Sequence, residues 1–82
     1  MKENYLNIAQ NMLSGCLFVP EDYLTAETQI IAIPGFDSIS FETLLAQIEN
    51  YLDIEIRDYK DVIKIKTIQN LADYLESEHA QK

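Results

Sequence analysis

The sequence predicts an all-α fold: a small bundle of three main helices plus one short helix, with a long loop between helices one and two. Three observations carry this. Three segments repeat apolar residues at i, i+3, i+4 and i+7, the pattern of a helix with one buried stripe. The one run with strand character, Ile30-Ile31-Ala32-Ile33, has no second strand to pair with. The 82 residues are 48% apolar with two glycines and two prolines, the composition of a folded globule rather than a disordered tail.

The first helix is predicted from about Glu3 to Ser14, with Tyr5, Ile8, Ala9, Met12 and Leu13 on one face. Gly15 is the expected stop, because glycine takes a left-handed conformation without steric cost. Residues 16–37 read as a long connection. Within it Pro20-Glu21-Asp22 suits the first turn of a short helix, with Pro at the first helical position and acids at the positive end of the dipole. Residues Ile30 to Ile33 are expected to be loop whose isoleucines cover the helix core, and Pro34-Gly35 is turn chemistry. The strongest helix runs from 38 to about 52. Phe41, Leu44, Leu45, Ile48 and Leu52 form its stripe, Glu42, Gln47, Glu49 and Asn50 its polar face, and Asp37 its cap. Residues Asp53 to Ile56 make a connection with two buried isoleucine anchors. A short helix is expected around Tyr59 to Ile63. Thr67 caps the last helix, which runs to about Ser77 and buries Ile68, Leu71, Ala72 and Leu75; the tail from Glu78 to Lys82 is expected to fray. One-sided stripes must share a core, so residues 1–82 are read as a single domain.

The formal net charge is −8, from fourteen acids and six bases. A field of that sign repels nucleic acid and anionic membranes and favours basic protein surfaces. Residues 37–55 hold five acids (Asp37, Glu42, Glu49, Asp53, Glu55) and no base, while Arg57, Lys60, Lys64 and Lys66 cluster just beyond. One cysteine, Cys16, excludes an intramolecular disulfide and fits a reducing compartment. It lies in the apolar run Cys16-Leu17-Phe18-Val19 and reads as near-core rather than reactive. Met1-Lys2-Glu3-Asn4 does not open a signal-peptide pattern, and no apolar run reaches the length of a membrane span, so a cytoplasmic monomer is expected.

An independent enzyme is disfavoured. The single histidine, His79, falls in the polar tail, distant in sequence from any serine placed for attack. There is no Cys/His cluster for a stable metal and no Walker-type loop. Tyr5, Tyr23, Tyr51, Tyr59 and Tyr74 read as core edges rather than a stacking platform.

The informative segment is Gly35-Phe36-Asp37-Ser38-Ile39, where the loop meets the main helix. A serine there stands beside N–H groups without helical partners, at the end of the helix that favours a phosphate. Asp37 adds a carboxylate, and carboxylate with phosphate oxygens holds Mg²⁺ during phosphate chemistry. By themselves these residues read more readily as an ordinary cap.

The wider pattern resembles the acyl carrier and peptidyl carrier protein family. The resemblance runs from Leu17 to Leu75: Leu17 to Asp22 is similar to the segment after the family's first helix, and Gly35 to Ile39 to its Gly-x-Asp-Ser-Leu attachment motif. Ile48 to Ile56 is similar to the end of its recognition helix, and Thr67 to Leu75 to its last helix. The resemblance implies that Ser38 receives 4′-phosphopantetheine from coenzyme A. A separate phosphopantetheinyl transferase, with Mg²⁺ that Asp37 helps position, would do the transfer. Intermediates would ride as thioesters on the arm, supplied by an acyl- or aminoacyl-loading ligase and passed to synthases or transferases with basic docking patches. Phe36, Ile39, Glu42 and Glu49 would be partner contacts. Phe36 and Ile39 stand where many fatty-acid carriers have a small residue and leucine or methionine, and Thr43 and Asn50 where acids are frequent; these departures suit a specialised stand-alone carrier of secondary metabolism. Two other readings stay open at this point: an aminoacyl or peptidyl carrier, and an unmodified helical interaction module.

Overall fold

A computed structural model describes residues 4–56, 60 and 62–80. Helix α1 spans Tyr5–Leu17, α2 Ser38–Leu52 and α3 Ile68–Ala80, with two 3₁₀ turns, Glu21–Tyr23 and Ile30–Ala32, between α1 and α2. The predicted stripes face one another. Ala9, Met12 and Leu13 of α1, Leu44, Ile48 and Leu52 of α2, and Ile68, Leu71, Ala72 and Leu75 of α3 form one buried cluster. The pairing of α1 with α3 is the most extensive. Among the described residues no polar or charged side chain is buried.

Three expectations about boundaries are corrected. Gly15 does not end α1. It sits inside the helix, and the left-handed stop is Phe18, with φ of 57° and its N–H donating to the Ser14 carbonyl at 2.9 Å. The continuation brings Cys16 and Leu17 against the core, a gain that exceeds the modest cost of a helical glycine. Pro20 stands just before the first 3₁₀ turn rather than within it. Residues Glu78 to Ala80, read as fraying tail, are the last turn of α3. Of the helix expected around Tyr59 to Ile63, Tyr59 and Asp61 lie outside the described residues, as does Arg57, and Val62 to Lys64 form a turn.

Phe18 is a costly residue for its place. Left-handed backbone disfavours a residue with a Cβ by roughly 1–2 kcal/mol, and the ring is 93% exposed, so it returns no burial. Phe18→Gly is expected to stabilise the fold by about 1 kcal/mol. At Gly15 a Cβ would meet nothing within 4 Å, so Gly15→Ala is expected to add about 0.5–1 kcal/mol. Urea midpoints of the two variants check both values.

The loop between α1 and α2 performs as read from its pattern. Leu24, Ile30 and Ile33 are buried and join the core, while Ile31 remains exposed. Its second task was not legible: it seals the start of α3. The Ile68 N–H donates to the Thr28 carbonyl at 3.1 Å and the Gln69 N–H to the Ala26 carbonyl at 2.9 Å. The Asn70 N–H donates to Thr67 Oγ1 at 3.1 Å, and Asn70 Oδ1 in return accepts from the Lys66 and Thr67 N–H groups. A lone antiparallel bridge, Gln29 to Thr67, fixes the register. The first three N–H groups of α3, which no helical carbonyl reaches, are therefore all satisfied.

Candidate functional site

The start of α2 is built differently. Asp37 is its cap: extended backbone turns into the helix, and Oδ1 accepts the Ser40 N–H at 2.8 Å. Gly35 allows the approach, with φ of 89°, a conformation that favours glycine. The Phe36 N–H donates to the Ile33 carbonyl at 3.1 Å, and the Ser40 hydroxyl to the Gly35 carbonyl at 3.3 Å. No loop carbonyl covers this first turn among the described residues. Ser38 is the first helical residue; it is exposed, and its hydroxyl has no hydrogen-bond partner among the described residues. A phosphate ester on that oxygen meets the positive end of a fifteen-residue helix.

The Asp37 carboxyl is held below its ordinary value, first by the Ser40 N–H, then by the Ser40 hydroxyl, with a smaller part from the Ile39 N–H. The sign follows: because the folded value is depressed, the cap's contribution is complete above the ordinary carboxylate range and is lost as pH falls through the lowered value. The Ser40 amide resonance is expected to titrate with Asp37 in that acid range, and Asp37→Asn, which keeps a capping oxygen, to abolish the titration while preserving the helix.

The other predicted site residues separate into outward and inward groups. Ile39 is 71% exposed and Glu42 is exposed. Glu49 is half-buried, and its Oε2 accepts the Ile56 N–H at 2.8 Å, tying the end of α2 to the connection beyond. Phe36 is half-buried against the core, its ring edge-on to Phe41 with centroids 6.4 Å apart. Both rings line an apolar cavity of about 210 Å³ whose walls include Leu44 and Ile48 of α2 and Val62 and Ile65 from the segment before α3, with Ile31 and Ile63 also on its lining. These positions read in the sequence only as stripe or connection.

His79 is not in a loose tail. It is a half-buried residue of α3 whose Nδ1 lies 2.8 Å from the Tyr5 hydroxyl and whose ring packs at 5.6 Å from that of Tyr51. Tyr51 follows Ser38 by thirteen residues on one helix, about 20 Å along its axis, so the imidazole serves the opposite end of α2. Tyr5, Tyr51 and Tyr74 are core edges as expected, but Tyr23 is 73% exposed, and Tyr59 lies outside the described residues. Cys16 is half-buried, its Sγ accepting from Gln47 Nε2 at 3.0 Å, and burial raises the thiol above its ordinary value. Among the described residues no group of His, Cys, Asp and Glu side chains is arranged to hold a metal, and no helix is long and apolar enough to cross a membrane.

The profile of the phosphopantetheine attachment-site family matches residues 12–75, a span that contains the whole Gly35 to Ile39 motif. The chain belongs to this family of phosphopantetheine-bearing carriers. It is also 40% identical over 60 residues to an acyl carrier protein of Bdellovibrio bacteriovorus, an alignment covering 73% of this chain and 76% of that protein. Members of the carrier family are not catalysts; a transferase attaches 4′-phosphopantetheine to them covalently, and transferase and synthase enzymes act on them. The exposed, phosphate-compatible start of α2 fits that role, and the three-helix bundle is the small all-α fold the role requires.

Proposed function

We propose that this chain is an acyl carrier protein whose arm is attached at Ser38. The observation that carries the assignment is the environment of that hydroxyl: exposed, first in α2, unpartnered among the described residues and next to the ionised cap Asp37. In the loading step the Ser38 oxygen forms a bond to the phosphorus of coenzyme A that bears the pantetheine, the pyrophosphate bond breaks, and adenosine 3′,5′-bisphosphate leaves. The transferase takes the hydroxyl proton. Asp37 would help position the Mg²⁺ that the transferase uses, and Ile39 and Glu42, both outward, would meet the transferase and later partners. Phe36 and Glu49 support the site from within the fold. The arm's terminal thiol supplies the thioester that carries cargo.

The acidic run from Asp37 to Glu55 favours partners with basic docking patches, an attraction that weakens with salt. The 40% identical carrier of known type favours acyl over aminoacyl cargo. Residues 1–82 are taken as one carrier domain, and its single half-buried thiol suits a reducing cytoplasm.

The test is a loading comparison. The pantetheinylated chain is offered acyl groups by an acyl-transferring ligase and, separately, amino acids by adenylation enzymes. Acyl thioesters that hydroxylamine releases are the expected product. Loading by amino acids alone would transfer the chain to the aminoacyl carriers.

A further inference from the structure

Phe18 is the most exposed large apolar side chain among the described residues, and its backbone is left-handed. A lone exposed ring is ordinary. A ring that gains no burial while held in a conformation that disfavours any Cβ is not, and such strain collects at residues that serve something outside the fold. Tyr23, also largely exposed, lies in the same short stretch. Glu21 and Asp22, beside it, are exposed and make no ion pair among the described residues. The stretch is fixed. The Ser14 hydroxyl donates to the Val19 carbonyl at 2.6 Å, the Tyr23 N–H to the Pro20 carbonyl at 3.1 Å, and Gln10 Nε2 to the carbonyl of the buried Leu24. Little ordering entropy therefore opposes capture of these side chains by a partner. Charge sets the sign of that partner. Besides Glu21 and Asp22, the last turn of α1, the negative end of its dipole, holds no basic side chain. A second copy of the chain would bring the same acids against themselves at a net charge of −8 each, and an anionic membrane is repelled likewise.

Position says which partner. Tyr5, Tyr51 and His79 meet at the end of the bundle away from Ser38, so α1 runs back toward the Ser38 end. There Cys16 Sγ accepts from Gln47, nine residues beyond Ser38 and about 13 Å along α2. Phe18 follows Cys16 by two residues and so flanks α2 without covering its start. A phosphopantetheinyl transferase must bring the phosphorus of coenzyme A to the Ser38 oxygen itself. An enzyme that acylates the arm's terminal thiol can seat to one side, because the arm crosses the gap. We propose that Phe18 is the apolar anchor of a second docking surface, rimmed by Glu21, Asp22 and Tyr23, for the acyl-loading enzyme, whose matching surface is an apolar pocket bordered by lysine or arginine. This rests on Ser38 bearing the arm. A buried aromatic anchor supplies the affinity of such a contact, and the acids its orientation and rate of encounter.

The experiment uses the full chain, Phe18→Gly, Phe18→Tyr and the pair Glu21→Lys with Asp22→Lys. Each first receives the arm from a broad-specificity transferase, with the rate recorded. Each is then acylated by an acyl-transferring ligase with a straight-chain fatty acid and ATP, and KM and kcat for the carrier are read. Phe18→Gly is expected to raise that KM by about tenfold or more with little change in kcat, to leave the rate of arm attachment unchanged and to raise Tm. A variant that is more stable yet docks less well separates contact from folding. Phe18→Tyr keeps most of the affinity, and the charge reversal raises KM and flattens its dependence on salt. An unchanged KM for Phe18→Gly overturns the inference, as does equal slowing of arm attachment and acylation. A chain that sediments as a dimer until Phe18 is replaced gives the ring to self-association and also overturns it. In each of these cases Ser38 remains the attachment residue. Failure of a folded, unmodified sample to accept the arm overturns the attachment reading and this inference with it.

Discussion

Ser38→Ala is expected to abolish acceptance of the phosphopantetheine arm while leaving the fold intact. The two halves of that result have separate causes. The substitution removes the oxygen that forms the phosphate ester, and Ser14, Ser40 and Ser77 are not equivalents. Ser14 Oγ donates to the Val19 carbonyl at 2.6 Å, Ser40 is half-buried within the cap, and Ser77 lies near the far end of α3. The loss is therefore complete rather than fractional. The fold is spared because Ser38 is exposed and the cap that starts α2 is Asp37. An exposed substitution of this kind changes stability by less than about 0.5 kcal/mol. Circular dichroism with a urea midpoint checks the second half, and intact mass after transferase treatment checks the first. An arm still accepted by Ser38→Ala would place the site elsewhere.

The largest effect on stability is expected from Leu71→Ala. Leu71 is fully buried in the first half of α3, in the cluster it shares with α1 and α2. Truncation removes three heavy atoms' worth of packing and leaves a cavity among three helices, at a cost of roughly 2–5 kcal/mol. A chain of this length is stable by only about 4–12 kcal/mol, so the variant loses a large share of its stability and its Tm falls by about 10 °C or more. Leu45→Ala is expected at the lower end of the same range. Leu45 is buried, but it does not belong to the main cluster. Urea unfolding of both variants, read at a common m-value, gives the comparison.

Much of this architecture is legible in the residues because helical periodicity is local. The stripes of α2 and α3 are buried as their spacing predicts, apart from the half-buried Phe41, and Asp37 and Thr67 cap the helices they precede. What was not legible depends on contacts between distant residues. Gly15 carries a strong stop signal, yet packing of Cys16 and Leu17 on the other helices carries α1 past it to Phe18. His79 continues the i, i+4 series of Leu71 and Leu75, a signal that was present, but its partner Tyr5 is 74 residues away. Sealing of the α3 start by Ala26 and Thr28 likewise has no trace in local pattern.

The site divides in the same way. Ser38 and Asp37 are readable because a cap and a hydroxyl at a helix start are local chemistry. Phe36 and Glu49 read as outward residues of a motif and a polar face. Their inward positions, against Phe41 and the Ile56 N–H, follow from how the loop and the connection fold back onto α2.

The most direct test is peptide mass mapping of the folded apo chain after incubation with coenzyme A, Mg²⁺ and a broad-specificity phosphopantetheinyl transferase. One phosphopantetheinyl group on the peptide that contains Ser38, fragmented to that residue, is the predicted result. No gain in mass, or a group mapped to any other residue, would contradict it.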